Sequence, residues 1–258
     1  MCATATYRAN LTTRRAIILA GGKGRRLRPF TASFPKPLVP LGDKPILEII
    51  LRQLANQGLK RVSLAVGHLS DLIRAYVAQN EFSRRHLEID FYEEVTPTGT
   101  AGPLASIEGL TDSFLVMNGD VLTNLDYRNL FAAHETSGAV LTIASHNKQE
   151  RIDLGVLEAD ENGRLLDYVE KPIHEFEVSM GVYVYSPRAL SYIEPGVYLD
   201  LPDLVKALLT AGEKVQIHRN DAFWLDIGRP DDYAKAQDII ESDPELFGHL
   251  DPQLHPPN

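Results

Sequence analysis

Short apolar runs that stop at a glycine or an acidic residue alternate along this chain with stretches of helical period. That alternation limits the fold more than any other feature of the sequence. Ala16-Ile17-Ile18-Leu19-Ala20 ends at Gly21-Gly22 and reads as a buried strand. Asp43 and Pro45 supply a cap and a first-turn proline for a helix carrying Ile46, Leu47, Ile50 and Leu54 to Gly58. Val62 to Val66 and Leu87 to Tyr92 read as strands around a helix from Leu69 to Gln79, whose Leu72, Ile73, Tyr76 and Val77 share one side. Then follow a short helix from Ala101 to Gly109, a buried strand from Phe114 to Met117, a helix from Tyr127 to Glu135 and a strand from Ala139 to Ala144. Asp160-Glu161-Asn162-Gly163 marks a hairpin turn. Val182 to Tyr185 is a further strand, Ser186-Pro187 and Pro202 each open helices, Val215 to His218 and Phe223 to Asp226 close the sheet, and Pro230 begins a last helix.

Strand, crossover helix, strand, repeated several times, predicts an α/β fold of three layers, with a largely parallel central sheet covered on both faces. The hairpin near the middle adds antiparallel strands, so the sheet is mixed. The domain is expected over residues 15–241. A loose arm precedes it (1–14), and an irregular tail follows (242–258), interrupted by Pro244, Pro252, Pro256 and Pro257.

Composition narrows the functional class. With 26 Lys and Arg against 35 Asp and Glu, the chain carries a formal charge of −9, which argues against a nucleic-acid partner and leaves room for a local anion pocket. The apolar run near the start is far shorter than the ~20 residues of a membrane span, and no signal-peptide core precedes a cleavage site. One cysteine, Cys2, excludes an internal disulfide framework. The expectation is a cytoplasmic protein with no membrane partner.

In open α/β sheets, ligands sit beyond the carboxyl ends of the strands, and the residues there are suggestive. After the first strand comes Gly21-Gly22-Lys23-Gly24-Arg25-Arg26, where glycines let the backbone approach a phosphate and Arg26 adds fixed charge. The third glycine of the dinucleotide fingerprint would fall at Leu27, and no Gly-Lys-Ser/Thr follows, so this is neither the dinucleotide loop nor the P-loop. Pro35-Lys36-Pro37 holds an ammonium on a stiff extended segment. Asn118-Gly119-Asp120 and Trp224-Leu225-Asp226-Ile227-Gly228 each place an aspartate at a strand end beside glycine. Two such carboxylates can converge on Mg²⁺, which takes one or two carboxylates plus substrate phosphates. Glu170-Lys171-Pro172 adds another positioned lysine.

Ala20 to Thr31 together with Pro35-Lys36-Pro37-Leu38 resembles the signature of the sugar-1-phosphate nucleotidyltransferases. Lys44-Pro45, Gly99-Thr100-Ala101, Asn118-Gly119-Asp120, Glu170-Lys171-Pro172 and Trp224 to Gly228 follow in that family's order, so the resemblance spans about Arg15 to Glu241. The run from Gly99 to Leu104 is similar to mannose-1-phosphate guanylyltransferases. Two departures concern substrate detail rather than reaction class: Arg25 where the family usually has Thr, and Ser179 where many members have Asn.

The resemblance implies a Rossmann-like nucleotidyltransferase fold and Mg²⁺-assisted conversion of a nucleoside triphosphate and a sugar 1-phosphate into nucleotide-sugar and pyrophosphate. Ala20, Gly21, Gly22, Gly24, Gly99 and Thr100 would hold the nucleotide. Arg26 would stabilise the departing pyrophosphate, Lys36 would contact the phosphates undergoing transfer, Lys171 would hold the sugar phosphate, and Asp120 and Asp226 the metal. Asn118, Gly119, Gly155, Glu170 and Ser179 would meet the sugar.

Glu94, five residues before Gly99, lies where uridylyl and thymidylyl relatives tend to have Gln. A carboxylate suits the paired donors of guanine, which leans to GTP and a mannose- or heptose-type acceptor. A UTP-, dTTP- or CTP-using relative and a non-catalytic nucleotide-sugar-binding regulator stay open as alternatives. The sequence is compatible with a homodimer without specifying one.

Overall fold

The computed structural model describes residues 11–27, 29–243 and 246–247. In chain order the elements are β1 (Arg15–Ala20), β2 (Pro40–Leu41), β3 (Lys44–Pro45), α1 (Ile46–Asn56), β4 (Arg61–Val66), α2 (Ser70–Gln79), α3 (Glu81–His86), β5 (Glu88–Glu93), β6 (Phe114–Asn118) and β7 (Val121–Thr123). They continue as α4 (Tyr127–Ser137), β8 (Leu141–Arg151), β9 (Gly155–Ala159), β10 (Leu165–Glu170), β11 (Ile173–Tyr185), α5 (Leu201–Thr210), β12 (Val215–Arg219), β13 (Trp224–Asp226) and α6 (Pro230–Ser242).

Seven strands form the central sheet in the order β12-β8-β11-β6-β1-β4-β5. β1 lies parallel to β4 and β6, β4 to β5, and β12 to β8, whereas β11 runs against both β6 and β8. The period of two along each strand divides the core. Ile18, Leu64, Met117 and Val182 pack with α1 and α4 residues such as Ile50 and Phe131 on one face. Ile17, Val116 and Tyr183 pack with Leu104, Leu204 and Leu208 on the other. Buried side chains on both faces explain why these strands read as continuous apolar runs.

Helix ends follow local chemistry. The Asp126 carboxylate accepts the Arg128 and Asn129 N–H groups at the head of α4 (2.9 and 3.2 Å), and Gly138 at φ +63° ends it. Asn80 ends α2 and caps α3 by accepting the Ser83 N–H at 2.8 Å, so the chain breaks into two helices there.

Several expectations need correction. The hairpin around Asp160 to Gly163 forms, but β9 and β10 make a separate two-stranded sheet, and the antiparallel member of the main sheet is β11. Phe223 to Asp226 does not close the main sheet. β13 has three residues and pairs with β7, held there by the Thr123 hydroxyl donating to the Phe223 carbonyl at 2.7 Å. β8 and β11 are much longer than their apolar cores. Their outer halves, 147–151 and 173–177, pair with each other beyond the sheet as an exposed arm, where no buried face imposes an apolar pattern. Asp43 does not cap α1; Pro45 precedes its first residue, and Asp43 pairs with Lys44 in the β2–β3 turn. Ala101 to Gly109 contains only a 3-10 turn, Gly102–Ser106, and Ser186-Pro187 likewise opens a 3-10 helix, Pro187–Tyr192.

Of the expected N-terminal arm, residues 1–10 lie outside the described residues. Leu11 is buried, and Arg14 pairs with Glu135 of α4, so the last part of that segment is docked. Of the expected tail, Ser242 still belongs to α6 and Phe247 packs edge-on against Phe223, while 244–245 and 248–258 lie outside the described residues.

Candidate active site

The chain leaves β1, crosses to β4 and β5, then returns to β6 on the other side of β1, so the strand order reverses between β1 and β6. A crevice at the carboxyl ends of the strands is expected at such a reversal. A cavity of about 480 Å³ lies there.

One wall is the segment after β1, with Ala20, Gly21, Gly22, Gly24, Arg25 and Arg26. The Gly21 Cα lies so close to Glu94 that a Cβ there would stand 2.6 Å from the Glu94 Oε2 atom. A side chain at 21 would have to push the Glu94 carboxylate aside. Thr31 donates its hydroxyl to the Gly24 carbonyl at 2.7 Å and packs that turn against the Lys36 stem.

Pro35 is extended, but Lys36–Leu38 forms a 3-10 turn rather than the stiff extended segment expected. The turn points the Lys36 ammonium at Asp120, with which it forms an ion pair. Asn118 ends β6, Gly119 and Asp120 follow it in the cavity lining, and the Gly119 N–H donates to the Leu19 carbonyl at 3.0 Å, locking the ends of β6 and β1 together.

β13 brings in the second aspartate. Asp226 stands opposite Val121 in the β7–β13 ladder, and the Ile227 N–H donates to the Asp120 carbonyl at 3.0 Å. Burial pushes the Asp226 carboxyl up, and the neighbouring Asp120 charge adds to this, while Lys36 and Arg26 pull the other way. The four groups thus share one electrostatic neighbourhood, although Asp226 itself is not among the cavity-lining residues; Gly228 is.

The nucleotide-side expectations also meet here. Glu94, Pro97, Gly99 and Thr100 also line the cavity, Glu94 lying against Gly21. The Thr98 N–H and hydroxyl both donate to Glu94 Oε1, at 3.0 and 2.8 Å, so that carboxylate is held in one orientation. Gly99 sits at φ +88°, and a Cβ on it would lie 2.5 Å from the Leu199 carbonyl oxygen. Only glycine turns the chain at that point.

The arm residues are not brought into the cavity wall. Gly155, Glu170 and Tyr168 cluster on the β9–β10 hairpin, where the Tyr168 hydroxyl donates to Glu170 Oε2 at 2.9 Å. Lys171 has φ +50°, an uncommon conformation for a side chain of its kind, and its N–H donates to the Leu154 carbonyl at 3.2 Å. Ser179 donates to the Tyr183 hydroxyl at 3.0 Å. Burial pushes the Tyr183 phenol up; Ser179 opposes this and the Asp120 charge adds to it, so this end of β11 lies within electrostatic reach of Asp120.

Tyr198 and Asp200 line the cavity and were not expected from the sequence. Asp200 lies just ahead of Pro202 and α5, where it reads as an ordinary helix cap. A search for carboxylates beside a first-turn proline would have found it, but not its partner Thr100.

No helix among the described residues is long and apolar enough to cross a membrane. The family described as Nucleotidyl transferase matches residues 15–243. The UTP–glucose-1-phosphate uridylyltransferase of Synechocystis sp. is 32% identical over 240 residues, covering 86% of this chain and 62% of that protein. The mannose-1-phosphate guanylyltransferase catalytic subunit beta of Drosophila melanogaster is 34% identical over 226 residues, covering 85% and 60%. The chain thus spans about 60% of the length of these curated relatives. The crystal structure of HddC from Yersinia pseudotuberculosis complexed with GMP-PN superposes with a TM-score of 0.66 at 27% identity, over 87% of this chain and 98% of that one. A family match over nearly the whole chain, on a site built from the same ordered motifs, establishes that this chain belongs to the nucleotidyl transferase family.

Proposed function

We propose that this chain transfers a nucleotidyl group from GTP to a mannose- or heptose-type sugar 1-phosphate, releasing pyrophosphate. The observation that carries the reaction is a cavity lined by Lys36, Arg26, a glycine loop and Asp120, with Asp226 brought by β13 into the same electrostatic neighbourhood. An oxygen of the sugar phosphate forms a bond to the α-phosphorus as the bond from that phosphorus to the bridging oxygen of pyrophosphate breaks. The nucleophile is already an anion, so no side chain needs to remove a proton. The work left to the protein is alignment and offsetting repulsion between anions.

Lys36 and Arg26 supply fixed positive charge where it builds up on the transferring phosphates and on the departing pyrophosphate. Backbone N–H groups of the glycine loop orient the triphosphate. Lys171, at the hairpin end, would draw in the sugar phosphate, with Glu170, Gly155, Asn118, Gly119 and Ser179 nearest the sugar.

The aspartates suit Mg²⁺. Asp120 Oδ1 is buried with no hydrogen-bond partner, a hard oxygen donor left available. Mg²⁺ takes one or two carboxylates, with substrate phosphates and water completing its shell. When bound, Mg²⁺ would offset phosphate charge; Asp120 and Asp226 would hold it.

The choice of GTP rests on Glu94. Its carboxylate is fixed by Thr98 and lines the cavity, and it can accept from the adjacent N1–H and amino donors of guanine, whereas uracil offers a single N–H between two acceptors. The guanylyltransferase relatives and the GMP-PN complex of HddC agree with this choice. UTP is the second reading, favoured by the similarity to the Synechocystis uridylyltransferase. A cytoplasmic location and small-molecule partners go with either reading, since nucleoside triphosphates are cytoplasmic metabolites.

The test is pyrophosphate release from purified protein across a matrix of triphosphates and sugar 1-phosphates. GTP with mannose 1-phosphate or a heptose 1-phosphate should lead. Preference for UTP, dTTP or CTP would reject the base assignment, and no release with any pair would favour a non-catalytic binding role.

A further inference from the structure

We infer that Tyr198 is a nucleoside-binding residue, and that Asp200 is a positioning residue holding it and the Gly99-Thr100 loop in place. This rests on the reading of the cavity as a nucleotide site, and assigns to it a wall from the far half of the chain.

Tyr198 is the sole aromatic lining the cavity among the described residues. It shares that lining with Glu94, Pro97, Gly99 and Thr100. The residue is 63% exposed, leaving an aromatic face open to solvent beside the cavity. It is nonetheless held: the phenol donates to Asp200 Oδ2 at 2.7 Å. An exposed ring fixed at its tip is a preorganised flat surface, which a nucleobase or ribose can cover with little loss of side-chain freedom.

Asp200 ties that ring to the glycine loop. Its Oδ1 accepts the Thr100 N–H at 3.0 Å and the Thr100 hydroxyl at 3.1 Å. The hydrogen bond from Tyr198, with the Thr100 bonds adding to it and burial opposing, holds the Asp200 carboxyl below its usual range, so it stays an acceptor at neutral pH. Asp200 precedes α5 but makes no side-chain cap of its own; the Thr100 hydroxyl accepts the Leu201 N–H instead, at 2.8 Å. Asp200 and Thr100 have exchanged duties across 100 positions of sequence. The backbone repeats the link, because the Ala101 and Gly102 N–H groups both donate to the Leu199 carbonyl, at 3.0 and 3.1 Å. Segment 198–201 and loop 99–102 therefore form one unit, and the exposed ring is its edge toward the cavity.

Calorimetric titration of the full chain, with Mg²⁺ present and sugar phosphate absent, tests this without turnover. The ligands are GTP and inorganic tripolyphosphate. Tyr198→Ala should weaken GTP binding about tenfold or more, in the range of aromatic–base stacking contacts, and leave tripolyphosphate binding within about twofold. Tyr198→Phe, which keeps the ring and loses the hydroxyl, should bind GTP within about threefold of wild type. Asp200→Asn should weaken GTP binding with a change in KM for GTP larger than that for sugar phosphate. Equal losses for both ligands in Tyr198→Ala would show that the residue only braces the loop, and an unchanged GTP affinity would remove it from the site; either overturns the inference. A wild-type chain that binds tripolyphosphate but no nucleoside triphosphate would overturn the nucleotide reading itself, and the inference with it.

Discussion

The Lys36 ammonium is ion-paired to the Asp120 carboxylate, joining a Pro-flanked turn after β1 to the end of β6 across 84 positions of sequence. The ammonium sits on Oδ2 and leaves Oδ1 of the same carboxylate for a divalent cation. The ammonium and the ion compete for Asp120, and incoming phosphates offer Lys36 an alternative partner.

Lys36→Met is accordingly expected to tighten Mn²⁺ binding to the nucleotide-free protein by roughly fivefold or more, the scale of one unit charge nearby in partly screened surroundings. The same variant should lose about 10²–10³ in turnover, as for removal of one preorganised charge. Paramagnetic titration of Mn²⁺ provides the readout. Weaker or unchanged metal binding would mean that Lys36 does not compete for Asp120.

Asp226 carries the opposite burden. Burial and the Asp120 charge both raise its carboxyl, so the folded protein holds a charge at neutral pH that it would be easier to hold unfolded. The unfolded chain gives up this proton at lower pH, so the group lowers stability as pH rises through its folded titration. Asp226→Asn should raise Tm at pH 7 and abolish Mg²⁺-dependent pyrophosphate release. A lower Tm, or near-normal turnover, would contradict this account.

Lys171 holds φ +50° at the hairpin end, a strain of roughly 1–2 kcal/mol for a residue with a Cβ. Strain of this kind concentrates where a side chain must be aimed. Lys171→Gly removes both strain and charge, so Tm should stay level or rise while KM for the sugar phosphate climbs about tenfold. Lys171→Met keeps the strain and should show the same KM. An unchanged KM in both would make Lys171 a surface residue.

His134 of α4 shares a hydrogen bond of 2.8 Å with the Thr142 hydroxyl inside the fold. Burial, reinforced by the Arg14 charge, pushes its imidazole down to about 4. A free imidazole titrates near ~6.5, so below that pH the unfolded chain takes up a proton the folded one refuses. Stability present above about pH 6.5 is lost toward pH 4, up to about 3 kcal/mol from this group. Denaturant midpoints at pH 7 and pH 4.5 should differ less in His134→Asn than in wild type. Equal pH dependence would assign the acid sensitivity to other groups.

The alternation of apolar runs and helical stretches determined by itself the layered α/β fold, because strands buried on both faces must be apolar throughout. Ala16 to Ala20, Val62 to Val66 and Phe114 to Met117 were legible for that reason. The glycine loop and the strand-end aspartates were legible because chemistry at a strand terminus needs particular residue types. The reach of β8 and β11 beyond the sheet was not, since an exposed arm leaves its residues free of any pattern. Nor was the pairing of β13 with β7, which puts Asp226 opposite the residue after Asp120. The contact of Asp200 with Thr100 stayed hidden for the same reason: a hydrogen bond between segments 100 positions apart leaves no local periodicity. Tertiary structure alone decided which distant carboxylates, cations and rings face one cavity, because strand order, not chain order, sets what stands beside the end of each strand.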